Sequence, residues 1–166
     1  MRTYTHGVIG YLLYAKCSRQ EQRLAIMGSI LPDVFLVLGF VPHYVERVTQ
    51  SALVATLHDL LHHSTLHTAT VGMHSFVLVG PCLALSFMLY RPALPVFIGM
   101  LAHGIVDCLT HQQWAYNHFF PLPMAPLKGI VSYTDVGFTI GEHACLLLFG
   151  IWWIRQRLRR SAPPNR

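Results

Sequence analysis

The stretch LAHGIVDCLTHQQWAYNHFFPLP, residues 101–123, carries His103, Asp107, His111 and His118 beside an apolar run. His103 and Asp107 are four residues apart. On a helix they share one face a turn apart, and His111 falls close to the same stripe. Imidazole and carboxylate held on one stiff element and aimed at one point can hold a divalent metal such as zinc, manganese or iron. A lone His-x-x-x-Asp also serves as a hydrogen-bonded pair between helices. The metal reading leads here because further ligand types occur elsewhere in the chain.

Asp33 stands within GSILPDVFLVLG, directly after Pro32. A carboxylate in an apolar run is costly unless paired or on a metal, although Pro-Asp can also open a helix. His74 borders an apolar run at the end of HDLLHHSTLHTATVGMHSF, residues 58–76. On a helix, Asp59, His63, His67, Thr70 and His74 share one narrow stripe, with His58 and His62 beside it; one metal cannot use them all. His6, in THGVIGYLL, is either a ligand or a residue of a first helical turn. Thr139-x-x-Glu142 reads as a capping box, which ranks capping above ligation for Glu142. Asp135 is a candidate cap for the last helix. Neither His43 nor His143 shares a face or a motif with these groups. The chain contains no G-x-S-x-G, phosphate-binding loop or H-E-x-x-H, so Ser or Cys nucleophilic catalysis has no support.

The elements that must position these groups are apolar. Of 166 residues, 53% are hydrophobic and 11% charged, against about 25% charged in soluble domains. This deficit points to a membrane. Five apolar segments, near 5–16, 24–41, 75–90, 94–110 and 138–154, predict an all-α membrane bundle of four to five helices in one domain over 1–160, with a disordered tail at 161–166. The first segment is short for a span, which needs about 20 residues. No signal-peptide cleavage site is visible. Cys17, Cys82, Cys108 and Cys145 form no C-x-x-C, lie in or beside apolar runs and read as buried thiols rather than zinc ligands or disulfides.

With segments two to five spanning and the C-terminus cytoplasmic, Lys16, Arg19, Arg23, Arg91, Arg155, Arg157, Arg159 and Arg160 fall inside. Arg47 and Lys128 fall in the outer loops. That is the expected positive-inside bias, and it places the His and Asp side chains toward the outer face. The net charge of +5 suits a membrane surface. Nucleic acid is not an expected partner, because no reading module accompanies the basic tail.

The pieces His6, ILPD with Asp33, MHSF with His74, AHGIVDCLTH with His103 and Asp107, NHFFPLP with His118, and GIVSYTD stand in an order that resembles the membrane-bound metal-dependent hydrolase family. That family includes the LexA-regulated inner-membrane hydrolases and is more distantly similar to the all-α zinc-dependent phospholipases C. The resemblance spans nearly the whole chain. It implies a multi-pass protein of a bacterial-type inner membrane. Its divalent metal, zinc by preference, would be held by some of His6, Asp33, His74, His103 and Asp107, with Asp33 and Asp107 also the catalytic candidates. His67, His111 and His118 are further candidate ligands. Larger members carry H-R-x-x-T-H-S before the apolar helix, which here admits a register through His62 and His67 or one through His74. The His74 register is preferred because the apolar helix starts immediately after it. The implied reaction is hydrolysis of a phosphoester or other ester in an amphiphilic or lipid substrate. A metal or proton transporter, a haem-binding subunit and a non-catalytic metal-binding scaffold are the alternatives.

Overall fold

Ser18 and Glu21 start the first long helix. The Ser18 hydroxyl accepts from the Glu21 amide at 3.3 Å, and the Glu21 carboxylate accepts from the Ser18 amide at 2.9 Å. This reciprocal capping satisfies donors that a helix start leaves orphaned. The computed structural model describes residues 1–49, 66–112 and 116–161. Among them the chain is all-helical, with no strand, and contains α1 (Thr3–Leu13), α2 (Arg19–Thr49), α3 (Leu66–Met73), α4 (Phe76–Leu89), α5 (Leu94–Thr110) and α6 (Val136–Ser161).

Two stretches, Arg91–Thr110 and Val136–Arg159, are long and apolar enough to cross a membrane. A third span arises if α3 and α4, bent by 54° at their junction, count as one. At 1.5 Å per residue α1 is about 16 Å long, about half the hydrocarbon thickness, so it does not cross alone. The last helix continues to Ser161, one residue into the expected tail. The cysteines expected to be buried are not: Cys17, Cys82 and Cys145 are exposed and Cys108 is half-buried, because an apolar run leaves apolar faces on the outside of its helix as well as inside.

Small residues set the helix spacing. A Cβ on Gly28 of α2 would lie 2.0 Å from the Val96 carbonyl oxygen of α5, and one on Gly99 would lie 2.4 Å from the Ala25 oxygen. A Cβ on Gly10 of α1 would lie 2.0 Å from the Ser29 hydroxyl. Backbones in such contact gain dispersion where lipid offers no hydrophobic drive. Thus α2 is clamped between α1 and α5, and these three helices form the tightest part of the bundle.

The α3–α4 bend is stitched by the loop after α5. The amide of Phe76 donates to the His118 carbonyl at 2.8 Å, and the Ser75 hydroxyl donates to the Phe120 carbonyl. The same loop closes the C-terminal end of α5. Gly129 and Ile130 amides donate to the His111 and Leu109 carbonyls at 3.1 and 3.0 Å, and Tyr133 donates to Thr110 at 2.9 Å. These bonds satisfy carbonyls that a helix end leaves open.

Candidate metal centre

Four elements deliver the candidate ligands. His6 comes from α1, Asp33 from α2, His74 from the bend between α3 and α4, and His103 and Asp107 from α5. All five are buried, and His6, His74, His103 and Asp107 are almost fully enclosed.

The imidazoles are oriented from behind. His103 Nδ1 lies 2.8 Å from the Ser29 carbonyl oxygen, and His74 Nδ1 lies 2.7 Å from that of Thr70. A carbonyl only accepts, so both Nδ1 atoms carry the hydrogen, and in the neutral form of each ring Nε2 is the nitrogen left to bind a proton or a metal. Those two Nε2 atoms face each other at 3.0 Å. Around them lie Asp107 Oδ2, at 3.2 Å from His103 and 3.5 Å from His74, and Asp33 Oδ1, at 3.6 and 3.7 Å. Two ligands about 2.0–2.2 Å from one ion at a tetrahedral angle stand about 3.3–3.6 Å apart. The separations of 3.0–3.7 Å bracket that range, with the two imidazoles somewhat closer than it, and bring these atoms around one point as ligands of one cation would be. A carbonyl behind each metal-facing imidazole is also the usual outer support of such ligands.

The other Asp107 oxygen faces a different set. Oδ1 lies 3.1 Å from His6 Nε2 and 3.3 Å from His111 Nδ1, with the Met1 nitrogen at 3.0 Å. Neither His6 ring nitrogen makes a hydrogen bond, close as Nε2 is to that oxygen. Its ring stacks on His103 with centroids 3.8 Å apart. Metal-compatible groupings are His74, His103 and Asp107, and His6, Asp33 and His103. Buried His and Asp groups of this chain can thus hold a metal ion.

A polar cavity of about 350 Å³ opens at the Asp33 edge of the centre, lined by Thr3, Asp33, His111, Tyr116 and Tyr133 among others. Thr3 donates to Asp33 Oδ2 at 2.6 Å. Tyr116 stacks on His74 at 4.1 Å. Burial, reinforced by the Asp33 and Asp107 charges, pushes the Tyr116 phenol upward, so it stays a donor at neutral pH. Burial pushes the His111 imidazole down to about 4 against the pull of Asp107, leaving it neutral. Sequence reasoning missed Thr3, Tyr116 and Tyr133, whose types are unremarkable until the fold brings them to this cavity.

The remaining candidates separate. His118 is fully buried, with its ring stacked on Phe76 at 5.5 Å, and belongs to neither metal-compatible grouping. Burial lowers its pKa. His67 is exposed and belongs to neither grouping. His143 is exposed and bonds Tyr4 and Thr139. His58, His62, His63 and the side chain of His43 lie outside the described residues. The capping box expected at Thr139 and Glu142 does not form. The Val136 start of α6 places Glu142 two turns in, where it accepts from Arg2 and, at 2.7 Å, from Thr5. A buried carboxylate answers to the nearest cation rather than to a local spacing rule. Asp135 does stand at the helix start, its carbonyl accepting from the Thr139 amide at 2.8 Å.

No protein-family model, curated protein or solved structure matches this chain.

Proposed function

We propose that this protein is a multi-pass membrane metal-dependent hydrolase, of the type its motifs resemble, acting on a phosphoester or other ester of an amphiphilic substrate. The observation that carries the reading is the pair of buried Nε2 atoms of His74 and His103 at 3.0 Å, with the Asp107 carboxylate beside them. Two ring nitrogens so close need a proton or a cation between them, and the two carboxylates supply the counter-charge of a divalent cation.

His74, His103, Asp33 and Asp107 would hold that cation, with zinc the first choice for this mixed nitrogen and oxygen set. A bound divalent ion supplies a Lewis acid and lowers the pKa of water toward about 7. Asp33, its Oδ2 open to the polar cavity beside Thr3, is placed to accept a proton there. Tyr116 offers a neutral donor from the cavity wall. The enclosing burial strengthens each of these interactions. The basic residues on the α5 inner end and the α6 tail favour a cytoplasmic C-terminus and an outward-facing site.

The transporter alternative needs a polar path on both sides of the centre. Below His103, α5 continues with Val96, Phe97 and Met100, which line an apolar cavity instead.

The test is metal analysis of purified protein together with hydrolysis of phospholipid in nanodiscs. Wild type should carry divalent metal and release headgroup or acyl product. Asp33→Asn should hydrolyse far more slowly, and His103→Ala should lose metal. Full metal content in His103→Ala would remove the centre, and metal-loaded protein inactive on every phospholipid headgroup class would remove the phospholipase form of the reading.

A further inference from the structure

A second cavity, of about 700 Å³, opens between α2, α3, α4 and α5. Its walls are almost wholly apolar and include Leu31, Gly72, Val79, Cys82, Phe97 and Met100. Ordered water needs polar partners, so this space is poorly suited to water. Its size lies within the range of about 300–1,000 Å³ typical of small-ligand sites.

Two elements lead from this cavity into the metal centre. On α5, Phe97 and Met100 line it, His103 and Asp107 follow as ligand candidates, and His111 lines the polar cavity. Met100 is about 4.5 Å below His103 along the helix axis, and His111 is about 12 Å above it. On the bent pair, Gly72 and Met73 line the apolar cavity and the next residue is His74. The order is apolar, then metal-binding, then polar. A bilayer amphiphile has the same order when its tail lies deep and its head lies at the interface.

We infer that the apolar cavity holds one acyl chain of a membrane lipid whose polar group is presented to the His and Asp centre. This rests on the metal-centre reading above and names its substrate class as an acyl-bearing lipid. The chain anchors the molecule, and the polar cavity takes the headgroup. One lipid with its chain in the first space and its head toward the second accounts for an apolar and a polar space on either side of the same buried ligands. A second protein copy would account for the apolar space alone.

The experiment uses the full chain in phosphatidylethanolamine–phosphatidylglycerol nanodiscs, doped with a phosphatidylglycerol carrying a mid-chain diazirine. After irradiation, label is mapped by mass spectrometry and metal per chain is measured on the same samples. Label is expected on residues 79–82 and 96–100. Gly72→Leu should lower it about tenfold, the scale at which a filled apolar pocket discriminates, with metal content unchanged. A Cβ at Gly72 meets only Leu78, at an ordinary 3.5 Å, so the first atom of the new side chain enters without striking backbone. Ala69→Leu, on the same wall, provides an independent filling variant, and unchanged metal reports that each variant is folded.

Stripping metal with a chelator should also reduce labelling severalfold, because the headgroup loses its anchor. Labelling that survives both filling variants would overturn the proposal by placing the probe on the outer surface. Labelling that filling abolishes but stripping leaves intact would overturn it too, by identifying a structural lipid unconnected with the centre. Protein that labels normally yet never binds metal would defeat the metal reading itself and leave the cavity as a lipid site alone.

Discussion

Gly28 of α2 rests against the Val96 carbonyl of α5 so closely that a Cβ would stand 2.0 Å from the oxygen. This contact lies next to Ser29, whose own carbonyl orients His103, and one and a half turns before Asp33. The spacing of α2 and α5 therefore sets both the tautomer of one ligand and the reach of another.

Gly28→Ala should force the two helices apart, with a cost of about 1–3 kcal/mol typical of overpacking. Metal affinity should fall with stability, although no ligand is changed. Gly80→Ala is the control, because its Cβ would meet nothing within 4 Å. Thermal unfolding in detergent and metal titration of both variants check this. Equal behaviour would mean that the α2–α5 contact does not set the geometry of the centre.

Much of the candidate site was legible because ligand chemistry is local. The His103 and Asp107 spacing and the cost of Asp33 in an apolar run are properties of short stretches. The 94–110 segment coincides with α5, and 75–90 differs from α4 by one residue at each end. What was hidden depends on which helices meet. Glycines 28 and 99 read as neutral small residues until the backbone of a partner helix lies against them. Glu142 matched a capping pattern, but its partner Arg2 is 140 residues away. The role of NHFFPLP in completing the α3–α4 bend is carried by carbonyls of His118 and Phe120, which side-chain identity does not reveal.

Thr3 donates to Asp33 Oδ2 at 2.6 Å from the rim of the polar cavity. It holds the carboxylate so that Oδ1 faces the two imidazoles. Thr3→Val keeps the shape and removes the bond. Metal affinity should fall about 10-fold to 100-fold, as for other outer supports of metal ligands, while Thr3→Ser should recover most of it. An unchanged dissociation constant in Thr3→Val, measured with a competing chelator, would show that Asp33 is held without it.

The distribution of basic residues predicts the orientation of α6. Arg155, Arg157 and Arg159 lie at its C-terminal end, and Arg157 sits over the Trp153 ring at 4.8 Å, as an interfacial anchor would. A C-terminal fusion to a reporter active only in the cytoplasm should be active, and a fusion active only outside should be silent. The reverse pattern would turn the polar cavity toward the cytoplasm and change the pool of lipids that can reach it.

Asp107 divides its two oxygens between two groups of imidazoles. Oδ2 faces His74 and His103 at 3.5 and 3.2 Å, and Oδ1 faces His6 and His111 at 3.1 and 3.3 Å. Both His6 nitrogens are buried, Nδ1 without a partner and Nε2 beside Asp107 Oδ1 alone, an arrangement that a bound cation would satisfy. A carboxylate so placed is suited to bridge two ions, as in sites where metals lie about 3.5–4 Å apart, with the second ion taking the place that the Met1 ammonium holds 3.0 Å from Oδ1. His6→Ala should therefore lower the metal content by about one ion per chain and leave the ion beside His74 and His103 in place. Asp107→Asn should weaken both. Elemental analysis of the two variants beside wild type decides it. If His6→Ala carries as much metal as wild type, the Oδ1 side holds no ion, and His6 serves only to pack its ring on His103.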